Sequence, residues 1–357
     1  MFEISIMEKN QVIISVEKEL KQKNLDKIIK DLLIIEPIDT SVTIDLSMTI
    51  WIELDAALWL ISFLNKLKIQ RNDIKIIFPD PDTHSGRLIW DFLITWNFFD
   101  ALKKCVDSPV NLLEINQLKY INDLKSHYKT IPLERRTITD NWGNKYQLPN
   151  RLLEIESIVN DNNYLKSIAS YKENFSGFAQ LAIRNYCKWD EDDTKKFVNS
   201  VVEEGLVNSF VHGENTFTNV AMKSDEKNLT LAICDNGKGI PTSLRETFNK
   251  KRDIFEERYI DANDSFLLKY FTQPEMILDS LYIDQSTHEK QGAIGRKGDG
   301  LFYLKDFVFK HGGKLRIRSG KAWVEFEYIH NKEKVEAIDD LIQSAGTLIT
   351  IILPKPK

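Results

Sequence analysis

Only three cysteines occur among 357 residues, Cys105, Cys187 and Cys234, with no CxxC spacing and no Cys/His pairing. Neither a disulfide framework nor a zinc site is indicated. The most apolar stretch, residues 88–102, is interrupted by Asp91, Asn97 and Asp100 and is too short to span a bilayer. The opening MFEISIMEKN lacks the basic region and apolar run of a secretory signal, which predicts a cytoplasmic protein and removes any weight from the sequons at Asn174 and Asn228. Charges of both signs are interspersed to a net −5, so no electrostatic footprint for nucleic acid or an anionic membrane is present. There is no GxxxxGK followed by Ser or Thr and no GxGxxG after a strand, so P-loop and Rossmann readings are unsupported. Asp190-Glu-Asp-Asp193 lacks the sixth-position glycine and distal Glu of a calcium loop and reads as the acidic first turn of a helix.

What is present is a globular composition, 42% hydrophobic and 28% charged, long enough for about two domains with a sizeable core. Apolar runs predict strands at 2–7, 12–16, 42–46 and 74–78, and helical spacing predicts helices at 25–34, 54–69 and 85–102. That alternation describes a small α/β domain over residues 1–116. Trp90, Phe92, Trp96, Phe98 and Phe99 lie on several faces of the last helix, which fits burial in a core better than a cofactor box. Residues 117–174 loosen into a polar connector with a short helix at 152–159. Beyond it, helices are expected at 175–187 and from Asp190 to about 211, and strands at 229–234, 314–318, 322–329 and 347–353. The fold class is α/β (α+β), with a second domain at 175–357 and an insertion at 241–297.

Four stretches in this second half carry chemistry. Glu204 and Asn208 are four apart on a helix, so both project from one face, with His212 one turn further on. A carboxylate can polarise an attacking water or hydroxyl, and an amide oxygen suits Mg²⁺; an ordinary amphipathic surface accounts for the pair equally well. Asp235 ends an apolar strand and is followed by Asn-Gly237-Lys-Gly239-Ile-Pro241. A carboxylate there can accept from the exocyclic amine of adenine, and glycines allow close backbone approach. Asn-Gly is also a hairpin signal, but the residues from Ser243 look helical rather than like a returning strand. Gly298-Asp-Gly300-Leu301 precedes a helix that stops at His311-Gly-Gly313; glycines before a helix leave backbone N–H groups where phosphates bind. Gly346-Thr347 opens the last strand.

The order of these stretches, with Gly346-Thr-Leu-Ile-Thr-Ile-Ile-Leu-Pro354 at the end, resembles the GHKL ATPase superfamily over residues 175–354. Glu204-Gly-Leu-Val-Asn208-Ser-Phe-Val-His212-Gly213 is most similar to the anti-sigma-factor serine kinases within it. The resemblance implies a Bergerat-fold α/β sandwich that holds ATP under a mobile lid. It implies Asn208 as the Mg²⁺ ligand, Asp235 as the adenine partner and Gly237 and Gly239 as pocket-shaping residues. Gly298, Gly300 and Leu301 would form the phosphate loop, Thr347 would support Asp235, and Glu204 would be the catalytic base. His84 and His127 sit in a turn and a polar stretch, not on the long dimerisation helix of a histidine kinase.

The N-terminal order Asp45-Leu-Ser47, helix, Ile74-Lys-Ile-Ile-Phe-Pro-Asp80, helix is similar to the STAS domains of bacterial stress-signalling antagonists, over residues 2–116. Where those antagonists carry a phosphoacceptor serine, this chain has Asp55-Ala56-Ala57 and no hydroxyl. Together the resemblances imply an ATP- and Mg²⁺-binding signalling protein that transfers phosphate to a protein serine or to water and regulates a protein partner. An ATP-driven switch or dimerising ATPase without kinase activity, and a nucleotide-binding scaffold, are the alternatives. A protein partner is expected and a homodimer is open; nucleic acid and membrane are not.

Overall fold

The computed structural model describes residues 2–8, 11–16, 18–22, 25–26, 41–70, 74–105, 121–122, 137–139, 145–147, 150–159, 183, 189–213, 217–225, 227–250, 272–281, 300–329, 332–341, 343–344 and 346–355. The chain divides into two compact units, Met1–Ser157 with Asn219–Glu226, and Ile158–Thr218 with Lys227–Lys357. One sheet contains parallel strands and a separate one is antiparallel, so the chain is mixed α/β of the α+β kind. Among the described residues, no helix is long and apolar enough to cross a membrane.

The first unit is built on a four-stranded sheet ordered β1-β2-β4-β6 (β1, Phe2–Glu8; β2, Gln11–Val16; β4, Ser41–Asp45; β6, Ile74–Ile77). β1 and β2 form an antiparallel hairpin, whereas β2, β4 and β6 are parallel. Parallel neighbours need a crossover, and helix α1 (Leu54–Gln70) supplies the one between β4 and β6. Its Ala56, Leu58, Ile61 and Leu64 are fully buried, as are Val42 and Ile44 of β4. The short strands β3 (Lys18–Leu20) and β5 (Thr49–Ile52) pair separately. Ala57 is also fully buried, so the segment Asp55-Ala56-Ala57 is sealed from solvent as well as lacking a hydroxyl.

The single helix expected at 85–102 is two helices, α2 (His84–Thr95) and α3 (Phe98–Cys105). Asn97 breaks the run with φ +59°, a left-handed conformation that asparagine tolerates better than most residues. Four of the five aromatic residues are core, as expected, and Phe92 is half-buried: Trp90 and Phe98 are fully buried, Trp90 stacks on Phe99 at 5.6 Å, and its indole N–H donates to the Pro79 carbonyl. Burial also pushes the Cys105 thiol up to about 11, which leaves it inert at neutral pH.

Residues 152–159 are not a helix. They lie in β9 (Asn150–Val159), which follows a small hairpin of β7 (Thr137–Thr139) and β8 (Lys145–Gln147) and neighbours β10 (Phe217–Ser224). Periodicity cannot separate a short buried strand from a helical turn, and here tertiary pairing decides. The Ile155 N–H donates to the Trp96 carbonyl at 2.9 Å, and the Ser157 hydroxyl donates to Asn219 at 2.5 Å. The helices expected at 25–34 and 175–187 lie almost wholly outside the described residues.

In the second unit, Asp190 caps the expected long helix by accepting from the Asp193 N–H at 2.7 Å. This helix runs through α4 (Glu191–Lys196), a π-helical turn (Phe197–Val202) and α5 (Glu203–Gly213). β11 (Asn228–Asp235) leads to α6 (Ile240–Lys250); α7 (Gln273–Asp279) and α8 (Gly300–Lys310) follow. The remaining strands are β12 (Lys314–Ser319), β13 (Ala322–Ile329), β14 (Lys332–Ile338) and β15 (Thr347–Pro354). Antiparallel pairing joins β11 to β15, β15 to β12, β12 to β13 and β13 to β14.

One face of this sheet is apolar: Leu231 and Ile233, Ile349 and Ile351, Leu315 and Ile317, Val324 and Phe326 fall in aligned columns and are buried. Each such side chain contributes about 1.5–3 kcal/mol by leaving water. The opposite face carries ion pairs, Lys314 with Glu327 at 2.6 Å and Arg316 with Glu325. Helix α5 lies close on β11 because Gly205 has no side chain; a Cβ there would sit 2.4 Å from Ile233 Cδ1. Residues 251–271 and 282–299 are outside the described set, and with them most of the expected insertion, including the apolar patch 266–271, His288, Glu289 and Lys297.

Candidate functional site

Asp235 is the last residue of β11 and only 4% exposed. Its Oδ1 accepts from the Gly237 N–H at 2.8 Å and from the Thr347 N–H at 3.1 Å; the Ser209 hydroxyl, which donates to the Gly205 carbonyl at 3.1 Å, lies near enough to favour the charged form. A carboxylate has about four acceptor positions, so these two N–H donors, both on Oδ1, leave acceptor capacity for a ligand. Burial raises the Asp235 pKa from 3.8 to about 6, and the hydrogen bonds from Gly237 and Thr347, with the nearby Ser209 hydroxyl, oppose the rise. The group is therefore ionised at neutral pH, though at a cost.

Gly346 makes this packing possible. It has φ +84°, and a Cβ on it would lie 2.0 Å from the Asp235 carbonyl oxygen and 2.7 Å from Oδ1. Thr347 is tied down on its other side, its hydroxyl 3.0 Å from that of Ser319. Ser319 also accepts from the Ile240 N–H at 2.8 Å, which anchors the start of α6. Gly239, at φ +83°, meets the same serine: a Cβ there would be 2.9 Å from Ser319 Oγ. The need for glycine at 239 thus has a reason inside the chain, the close approach to β12. Gly237 donates to Asp235 from the turn between β11 and α6. The turn leads into a helix, as expected, and not into a hairpin.

Helix α5 supplies the remaining groups. Gly205 and Ser209 face β11, since one touches Ile233 and the other lies near Asp235. Glu204 and Asn208 flank that stripe one residue round the helix, and both are half-buried. The Asn208 Nδ2 is sequestered with no hydrogen-bond partner. A buried polar atom in that state costs about 1–3 kcal/mol unless water or a ligand completes its bonding. Because the two ends of an amide are exchangeable by rotation, the same position can present the Asn208 oxygen.

Gly300 begins α8, as the glycine-before-helix pattern predicts, with Leu301 half-buried beside it. Gly298 lies outside the described residues. His311-Gly-Gly313 is a helix stop: Gly312 has φ +62°, and the Gly313 N–H donates to the Val308 carbonyl at 2.9 Å. His311 stacks on Phe307 at 4.3 Å, and burial lowers its pKa, so the ring there is a packed neutral imidazole.

The structure thus brings Asp235, Gly237 and Thr347 into one hydrogen-bonded cluster, with Gly239 packed closely against Ser319 and with Asn208 and Glu204 beside Ser209 on the adjoining helix. Sequence reasoning missed Ser209 and Ser319. The Gly205-to-Ser209 spacing, two small residues one turn apart, was the available signal for the first; a lone serine before a glycine turn gave none for the second.

The pKa of Asp235 has a consequence for stability. An acid whose folded pKa is raised favours the folded state fully below its unfolded pKa and loses that contribution as pH rises through the folded pKa. Stability is therefore expected to fall between pH 3.8 and about 6 and to flatten above it. At about 1.4 kcal/mol per unit the loss is on the order of 3 kcal/mol, readable in urea midpoints across that range. An acid limb that Asp235→Asn leaves in place would show that another group is responsible.

No protein-family model matches the chain, and no curated protein matches it.

Proposed function

We propose that the second unit is a nucleotide-binding domain of GHKL type, with the Bergerat arrangement, that binds Mg-ATP and passes phosphate to a protein serine or to water. The first unit is a STAS-like domain that docks a protein partner. The observation that carries this reading is the Asp235 carboxylate, buried at a strand end, held through Oδ1 by the Gly237 and Thr347 N–H groups, and left with acceptor capacity for a ligand. Adenine offers that carboxylate an exocyclic N–H, whereas guanine and hypoxanthine offer a carbonyl. The unpartnered amide of Asn208 suits a hard cation through its oxygen. A Mg²⁺ held by Asn208 would draw most of its shell from phosphate and water.

When bound, Mg-ATP supplies the transferable phosphoryl group with its charge partly neutralised. The chain's own part is selection and activation. Asp235 selects the base. Glu204, half-buried on the face of α5 that carries Asn208, takes the proton of the attacking hydroxyl or water. Glu204→Gln is expected to lower turnover by about 100-fold or more while nucleotide affinity stays within about threefold. Release of labelled phosphate, with calorimetry for affinity, reads both; unchanged turnover removes Glu204 from the mechanism.

An ATP-driven switch is the second reading, and the buried Ala56 and Ala57 favour it, since the chain's own STAS-like segment offers no acceptor there. Labelled ATP separates the two. Label on a partner's serine supports the kinase, and free phosphate alone supports the switch.

A further inference from the structure

The outer edge of β14 ends its sheet, and all seven of its residues, Lys332–Ile338, are exposed. Val335 is 41% exposed and Ile338 38%, and Tyr303 on α8 is 49% exposed. An edge strand of this kind is a template for another strand. Its chemistry selects which one.

The hydrogen-bonding pattern follows from the preceding hairpin. Ser319 pairs with Ala322 across the two-residue turn Gly320-Lys321, and Gly320 has φ +59° while Lys321 has no positive φ, as a type II′ turn requires. Ser319 and Ala322 are therefore a hydrogen-bonded pair, and alternation directs Trp323, Glu325 and Glu327 of β13 toward β14. Their partners there are Ile338, Glu336 and Lys334. The N–H and C=O groups of Glu333, Val335 and Ala337 consequently point outward, unused by the sheet.

We propose that β14 pairs antiparallel with β14 of a second copy of this chain, about a two-fold axis at Val335. Charge fixes that register. With Val335 opposite Val335, Lys334 of each copy faces Glu336 of the other. A shift by one pair in one direction sets Lys334 against Lys334, and in the other sets Glu336 against Glu336. Only the Val335-centred register matches Lys334 with Glu336 and sets no two like charges face to face; the shift that opposes the two Lys334 residues pairs Lys332 with Glu336 as well but keeps that repulsion. It also continues the ladder on the polar face, where Lys314, Glu327 and Lys334 form one column and Arg316, Glu325 and Glu336 the next. In the single chain that second column ends on two adjacent acids, Glu325 paired with Arg316 and Glu336 with the exposed Lys334 at 2.7 Å. The partner's Lys334 would extend it with a cation. On the other face, Val335 meets its own copy beside the apolar column that ends at Phe326.

The interface is small, so association is expected at roughly micromolar to tens of micromolar chain. Sedimentation equilibrium of the full chain over that range tests it. Wild type is expected to show a concentration-dependent dimer. Lys334→Glu and Glu336→Lys should each weaken it by roughly tenfold or more, because two symmetric cross-strand pairs become repulsive. The double variant Lys334→Glu/Glu336→Lys should restore association, and so should mixing the two single variants. Both side chains are exposed, and circular dichroism melts check that the single variants remain folded. A wild-type monomer throughout the range, single variants that dimerise like wild type, or a double variant that stays monomeric would each overturn the proposal. The test involves no nucleotide, so it stands apart from the reading of Asp235.

Discussion

Gly346→Ala is expected to cost about 3 kcal/mol or more and to dismantle the candidate site with it. Two independent penalties act at this position. The φ of +84° is one that side-chain-bearing residues seldom adopt, which costs on the order of 1–3 kcal/mol. The added Cβ would also stand 2.0 Å from the Asp235 carbonyl oxygen, and that atom is backbone at the end of a buried strand. No rotamer change relieves such a contact, so the ends of β11 and β15 must part. That movement would break the Thr347-to-Asp235 hydrogen bond. Gly312→Ala is the control: its φ is +62°, but nothing lies within 4 Å of the added carbon. It should cost about 1 kcal/mol, from backbone conformation alone. Urea unfolding of the two variants separates strain from collision, and equal losses would show that the contact at Asp235 is not the cause.

Asp235→Asn is expected to do the opposite: to spare the fold and remove nucleotide binding. The amide is isosteric, and its oxygen can still accept from the Gly237 and Thr347 N–H groups. It also ends the burial cost that lifts the carboxylate pKa to about 6, so the unfolding midpoint at neutral pH should not fall. Affinity behaves differently. The acceptor position offered to an adenine amine becomes an NH₂ donor facing another donor, and a buried mismatch of that kind costs on the order of 100-fold or more. Calorimetric titration with Mg-ATP beside a thermal melt reads both quantities. Such a variant, no less stable and unable to bind, would mark Asp235 as a residue kept for function at the expense of stability. A large loss of stability would instead make it structural.

The elements legible in the sequence were those with a buried face and a marked end. The helix from Asp190 begins with a side-chain cap and an acidic first turn, and β11, β12, β13 and β15 alternate apolar residues toward one side. β14 carried no such signal, because Lys-Glu-Lys-Val-Glu-Ala-Ile is exposed at every position and buries no face. β10 was hidden for the opposite reason: Thr218 and Asn219 are polar yet fully buried, which removes the alternation. The break at Asn97 depends on one residue's tolerance of positive φ, and β9 on pairings made far away in sequence. Within the candidate site, Asp235 and the glycines were legible as a strand-end carboxylate followed by a turn that could not be a hairpin. Ser209 and Ser319 were not, since a single hydroxyl has no periodicity and acquires meaning only from the group it meets.

The most direct measurement compares ATP with inosine triphosphate, which differs at the base by a carbonyl in place of the exocyclic amine. Titrated into the full chain with Mg²⁺, ATP should bind saturably at one site per chain, and inosine triphosphate at least about 100-fold more weakly. Equal affinity for the two, or no binding of ATP, would contradict the assignment of Asp235 as the group that reads the base.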